Sequence, residues 1–201
     1  MTASPARSRT LAVQQLVPGG MTIPAVICET GLELATPSVA VFDSSRRYRY
    51  LLTRTWDDSC PRAVWVMLNP STADAFTDDP TIRRCIRFAA CHGAGGIIVV
   101  NLFAYRAADP AALRGVADPV GEFNDAFIRQ AGQPAGRLII AAWGAHGTLG
   151  GRDAAVTRML TAAEAQLRCL GTTRHGQPRH PLYMPGGTPL SAYQPAAAGG
   201  R

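Results

Sequence analysis

From Arg62 onward the chain alternates short continuous apolar runs with amphipathic segments. The runs are AVWVML (63–68), GIIVVNLF (96–103), RLIIAAWG (137–144) and LRCLG (167–171). Uninterrupted Val, Ile and Leu positions belong to strands buried on both faces, the pattern of a parallel sheet covered by helices. Helical spacing between the runs predicts helices near 80–92, 110–114, 119–132 and 151–165, with Asp79-Pro80 and Asp118-Pro119 as N-cap and N1 pairs. The expected fold is α/β: a three-layer α/β/α arrangement around a mostly parallel four-stranded central sheet. Upstream, SVAVFD and YRYLLTRTW flank Ser44-Ser45-Arg46 and read as a β-hairpin, at an edge or packed on one face. Its second strand alternates Tyr48, Tyr50 and Leu52 with Arg49, Leu51 and Thr53. Residues 21–36 read as a strand or extended arm. A single domain is expected over 21–193, with aperiodic tails at 1–20 and 194–201.

Composition narrows the class. The 201 residues are 47% apolar, yet no apolar run approaches the roughly 20 residues that span a bilayer, and the N-terminus lacks a signal-peptide core. A cytoplasmic protein with no membrane partner is expected. The five cysteines, Cys28, Cys60, Cys85, Cys91 and Cys169, include no C-x-x-C pair. Buried thiols are therefore favoured over disulfides or zinc, and no metal or other cofactor is expected, although spacing leaves a scattered iron–sulfur ligand set open. The net charge is +6, carried entirely by arginine, because the sequence contains no lysine. Arginine suits planar contact with phosphates, but a lysine-free chain is equally the signature of codon bias. The missing amine has a firmer consequence: only the α-amino group could form a Schiff base.

Asn69, Asn101 and Trp143-Gly144 each fall at the carboxyl end of a predicted strand, where ligands collect in open α/β sheets. The alternative is that the asparagines only cap helices or form Asx-turns. HGAGG (92–96) precedes its strand, so it reads as a helix C-cap rather than a dinucleotide loop, and no phosphate-binding G-x-x-x-x-G-K is present. Ser71 lies outside any nucleophile elbow, and the four histidines have no metal-binding helix spacing. The polar residues left at strand ends and late loops are Asn69, Ser71, Asp74, Asp78, Asp79, Asn101, Arg106, His146 and His180.

The motifs YRYLLTRTW, LNPSTAD, DPTIRRC, NLFAYRA, AWGAHG, CLG and HPLY, in that order, resemble the bacterial family named domain of unknown function sixteen forty-three. That resemblance supplies no reaction. More distantly, the same order is similar to the uracil-DNA glycosylase superfamily. MLNPS resembles the GINPG motif of its mismatch-specific branch, VVNLFAYRAADP its base-reading asparagine motif, IIAAWGAHG its third strand end, and HPLYMPGGTPLSAY its HPSPLSA loop. Three departures accompany it: asparagine replaces the aspartate of the most active members, an insertion follows His180, and DPTIRRC has no counterpart.

This second resemblance implies a uracil-DNA glycosylase-like fold and a monofunctional N-glycosylase, a hydrolase removing an altered base from DNA. Asn69 would position water and His180 would stabilise the leaving base, with Asp74 completing the candidate catalytic set. Asn101 would read the base edge, and Phe76, Phe103 and Tyr183 are candidates to stack on it. Ser71, Arg83, Arg84, Arg106 and Ser191 are candidates for phosphate contact, the arginines having the alternative of a solvated helix face. The expected partner is DNA or a nucleotide, and the expected state a monomer. Two rival functions remain open: a non-catalytic nucleic-acid or nucleotide binding module, and a hydrolase of free nucleosides or nucleotides.

Overall fold

The computed structural model describes residues 26–33, 36–133 and 136–195. The expected tail 1–20 and most of 194–201 lie outside them. The strands are β1 (Val26–Glu33), β2 (Thr36–Asp43), β3 (Arg49–Thr55), β4 (Arg62–Met67), β5 (Gly96–Asn101), β6 (Ile139–Ala141), β7 (Leu167–Cys169) and β8 (Ser191–Ala192). They form one sheet in the order β1-β2-β3-β5-β4-β6-β7-β8. The four expected strands, β5, β4, β6 and β7, are its parallel core. The remaining pairings are antiparallel, so the sheet is mixed and eight-stranded rather than four-stranded. The hairpin of β2 and β3 is not laid on a face: β3 pairs with β5 and extends the sheet edge.

Alternation along the central strands divides the core in two. Ala63, Trp65, Met67, Ile97 and Val99 face one side, against Ile82, Cys85 and Phe88 of helix α1 (Pro80–Cys91). Val64, Val66, Ile98 and Val100 face the other, against α2 (Asn124–Ala131) and α3 (Arg152–Thr161) through Phe127, Ile128, Val156 and Leu160. Helices therefore cover both faces. Each large aliphatic or aromatic side chain buried this way contributes about 1.5–3 kcal/mol, which is why the continuous runs dominate the folding signal.

Helix α1 begins as its sequence demands, with Pro80 in the first turn and the Asp79 carboxylate accepting the Ile82 N–H at 2.8 Å. The Asp118-Pro119 pair behaves differently. Asp118 accepts the N–H groups of Val120 and Gly121, both at 3.0 Å, and Gly121 adopts φ 86°, so the chain turns there and α2 starts only at Asn124. Residues 110–115 form a 3-10 turn capped by Asp109. Helix α3 stops at Thr161, short of the expected 165, with Glu164 at φ 57°.

A bulge breaks the expected alternation of β3. Val41 lies opposite Leu51 and Phe42 opposite Arg49, so two steps on β3 match one on β2, and Tyr50 is the extra residue. Leu51 and Tyr50 consequently both join the α2/α3 side, whereas Leu52 and Phe42 pack on the α1 side. Arg49, opposite Phe42, is carried to the α1 side as well. This face holds the cavity described next.

Candidate functional site

At the carboxyl ends of β4 and β5 the sheet opens into a cavity of about 650 Å³. The parallel ladder continues past the strands through Leu102 N–H to the Met67 carbonyl (2.8 Å) and Phe103 N–H to the Leu68 carbonyl (2.9 Å). The chain then separates at Asn69-Pro70. Asn69 Nδ2 donates to the carbonyls of Pro70 (3.1 Å) and Ala107 (2.8 Å), and the Ala107 N–H returns to the Pro70 carbonyl at 2.9 Å. This clasp joins the two loops that leave adjacent strands. With two carbonyls around Nδ2, the amide orientation is fixed and Oδ1 is the atom free to accept. Asn69 thus does what a strand-end asparagine ordinarily does, and it also lines the cavity.

Asn101 has no such occupation. Its side chain is 1% exposed, lines the cavity, and neither Oδ1 nor Nδ2 has a protein hydrogen-bond partner. Its backbone, in contrast, is well held: Asn124 Nδ2 donates to the carbonyls of Asn101 and Leu102, each at 3.0 Å, and Arg152 Nε donates to the Leu102 carbonyl at 2.7 Å. Leaving a buried polar group unpaired costs about 1–3 kcal/mol, and both ends of this amide are in that state. A ligand edge carrying one donor and one acceptor would satisfy both.

His180 enters from the late loop, which is attached to the third strand end by the Gly144 N–H to Pro178 carbonyl bond at 2.9 Å. Its Nδ1 accepts the Leu182 N–H at 3.3 Å, capping the short turn Pro181–Tyr183. Burial lowers the imidazole pKa from its ordinary value of 6.5, and Asp79 nearby opposes the shift. The ring is therefore neutral at pH 7. Because Nδ1 is the acceptor, the proton sits on Nε2, which makes His180 a neutral donor. Asn69, Asn101 and His180 line the same cavity although 111 residues separate the first from the last.

Arg49 completes the floor. It is 2% exposed and lines the cavity; NH1 donates to the Ala73 carbonyl at 2.6 Å, and Nε has no partner. No carboxylate forms an ion pair with it among the described residues. Burial lowers its pKa to about 10, so the guanidinium keeps its charge at neutral pH. The Asp79 carboxylate, free of any ion pair, is the only acid of the cavity lining, and Arg179 and His146 are further polar members.

Of the other sequence candidates, Ser71 and Tyr183 line the cavity, Tyr183 at its mouth with 80% exposure. Asp74 does not; its carboxylate accepts the N–H groups of Phe76 (2.8 Å) and Thr77 (2.9 Å) in a local turn. Phe76 is exposed and outside the lining, and Phe103 is buried in the core on the α2/α3 side. The arginines suggested for phosphate contact also lie outside. Arg83 donates to the Asp78 carbonyl at 2.5 Å, Arg84 to the carbonyls of Pro181 and Met184 while lying over Phe88, and Arg106 to the Arg46 carbonyl while lying over Phe42. Ser191 sits on β8 beside Cys169. Asp78 pairs with buried Arg54, its Oδ1 2.9 Å from Nε and 2.7 Å from NH2. Sequence reasoning missed Arg49 and Arg179. The available signal for Arg49 was a charge inside the apolar strand YRYLLTRTW.

The fold and site define an α/β protein with a polar-floored cavity at the carboxyl ends of its parallel strands. The chain belongs to the family described as Protein of unknown function (DUF1643), whose model matches residues 49–182. Arg49 and His180 both fall within the matched segment, and so does everything between them. Comparison with curated proteins and with solved structures found no match. No helix among the described residues is long and apolar enough to cross a membrane, and no three His, Cys, Asp or Glu side chains among them gather as a metal site.

Proposed function

We propose that the cavity hydrolyses the N-glycosidic bond of an altered base. The observation that carries the reading is Asn101, a buried amide with both ends unpaired in the cavity floor. Its donor and acceptor match the amide-like edge of a nucleobase. When the C–N bond breaks, the electron pair leaves with the base, and water adds to the sugar carbon as it gives a proton to solvent. His180, neutral with its proton on Nε2, donates to the base oxygen where negative charge develops. That hydrogen bond strengthens along the reaction, as transition-state stabilisation requires. Asn69 Oδ1, held by the clasp, accepts from the attacking water and orients it. An asparagine cannot take the proton, so the arrangement suits a base already labile as a leaving group. The resemblance of the motif order to the uracil-DNA glycosylase superfamily supports the same roles for Asn69, Asn101 and His180.

The test is to incubate the wild-type chain with oligonucleotides that each carry one altered base, and separately with the corresponding free nucleosides and nucleotides, and measure released base by chromatography. Release from at least one substrate, abolished in Asn101→Ala, is expected. Binding of such ligands without release from any would favour the second reading, a nucleotide-binding module, for which the absence of a carboxylate at position 69 speaks.

A further inference from the structure

The buried arginine is not used by that chemistry. Arg49 spends one hydrogen bond on the Ala73 carbonyl, keeps an unpaired buried Nε, and has no ion-pair partner among the described residues. A guanidinium carries five N–H donors and is costly to bury without an anion. The surrounding charges do not supply one by contact. Asp79 and Asp74 attract it from a distance, Arg106 and Arg54 repel it, and Asp78 is engaged by Arg54. The bulge at Tyr50 turns Arg49 onto the same side of the sheet as Val99 and Met67, and Met67 lies opposite Asn101 in the parallel register. Arg49 and Asn101 therefore face the same cavity, a cation and an amide in one lining. The three arginines considered for phosphate contact, Arg83, Arg84 and Arg106, are turned onto carbonyls outside the cavity, the latter two also over aromatic rings. Exposed Leu182 and Tyr183, both lining residues, add no charge there.

We infer that Arg49 is an anion subsite inside the cavity, and that the molecule taken there is a free nucleoside monophosphate rather than a base within a nucleic-acid strand. For the base moiety this rests on the glycosidase reading; the phosphate subsite rests on Arg49 itself. A cavity of about 650 Å³ lies within the usual range of small-molecule sites. The bidentate geometry of arginine suits a terminal phosphate, and charge-assisted bonds to it are about twice as strong as neutral ones.

The experiment is calorimetric titration of the full chain with uridine, uridine 5′-monophosphate, inorganic phosphate and a single-stranded oligonucleotide containing one uracil. Uracil is chosen because its amide edge complements Asn101. The expected result is that uridine 5′-monophosphate binds at least about tenfold more tightly than uridine and than the oligonucleotide, and that inorganic phosphate competes with it but not with uridine. Arg49→Gln is expected to remove the preference for the monophosphate over uridine, and Arg49→Lys to retain part of it. Equal affinity for uridine and its monophosphate, no competition by phosphate, or tighter binding of the oligonucleotide would each overturn the inference. Should Arg49→Gln fail to fold, the wild-type phosphate competition decides alone. Base release is read by the separate chromatographic assay, so a chain that prefers the monophosphate but releases no base would sink the glycosidase reading and leave the subsite standing.

Discussion

Asn101→Leu should make the free protein more stable and its cavity useless. The residue is 1% exposed at the end of β5, and its two side-chain polar atoms have no protein partner. Each buried unpaired group of this kind costs about 1–3 kcal/mol, and leucine has nearly the same shape with neither group. Met67, Val99 and Trp143 of the lining offer apolar surface to receive it. Because the neighbouring backbone is held by Asn124 and Arg152 rather than by the Asn101 side chain, the strand end loses no bond in the exchange. Using the cost of one orphaned group rather than two, the expected gain is about 1–3 kcal/mol. For a chain of this length each kcal/mol moves the melting temperature by about 2–4 °C, so a rise of about 2–12 °C is expected. Urea and thermal unfolding of the ligand-free variant measure it, and titration with uridine should show binding lost. A variant that melts lower than wild type by several degrees would refute the reasoning: the amide would then belong to the fold, and its unpaired ends would not be a ligand site. Stability traded for recognition is the ordinary price of a functional site.

Asp78→Asn leaves the buried Arg54 guanidinium without its counter-charge, and should cost about 3–5 kcal/mol in urea unfolding, whereas Arg54→Met with Asp78→Leu should recover much of the loss. His180→Ala should lower turnover on the order of 10²-fold with a smaller effect on KM, since its bond strengthens only as the base becomes anionic; equal losses in both would mark a ground-state contact. The same residue sets a pH response. Burial holds the folded imidazole below 6.5, so between that lower value and 6.5 the unfolded chain binds more protons; stability contributed by neutral His180 is complete above 6.5 and declines as pH falls through this window, and a His180→Gln variant should flatten that slope. Finally, a chain without lysine should give no borohydride-trapped adduct with any substrate it cleaves, and an adduct surviving blockage of the N-terminus would contradict hydrolysis by water.

The parallel core was legible because β4 and β5 bury both faces and are written as uninterrupted apolar runs; Asp79-Pro80 was legible because its cap is a local interaction within one turn. Asp118-Pro119 carries the same two letters and caps a turn instead, because the carboxylate meets the N–H groups of Val120 and Gly121 before helical geometry begins. The breadth of the sheet was hidden for a different reason. Strand β3 is buried by its pairing with β5, which follows it by about forty residues of chain, and nothing in the hairpin itself announces that partner. The three cavity residues at strand ends and the late loop could be proposed from position. Arg49 could not, because the face it occupies depends on a bulge fixed by the register of β2 against β3. Asp74 and the helix arginines failed in the opposite sense: their residue types suit chemistry, but carbonyls and N–H groups within a few ångströms engage them first.

The Asn69–Ala107 clasp gives the cavity one wall that is finished before any ligand arrives. Ordering a loop residue costs about 1–2 kcal/mol of conformational entropy, and for the segments around Pro70 and Ala107 that ordering is completed during folding. The turn around Leu182, which also lines the cavity, is held by the His180 cap on the Leu182 N–H, by its own backbone bonds and by Arg84 reaching the carbonyls of Pro181 and Met184 from α1. The two walls consequently differ in what a ligand meets: a finished loop junction on one side, and on the other a turn that carries exposed Leu182 and Tyr183 at the mouth.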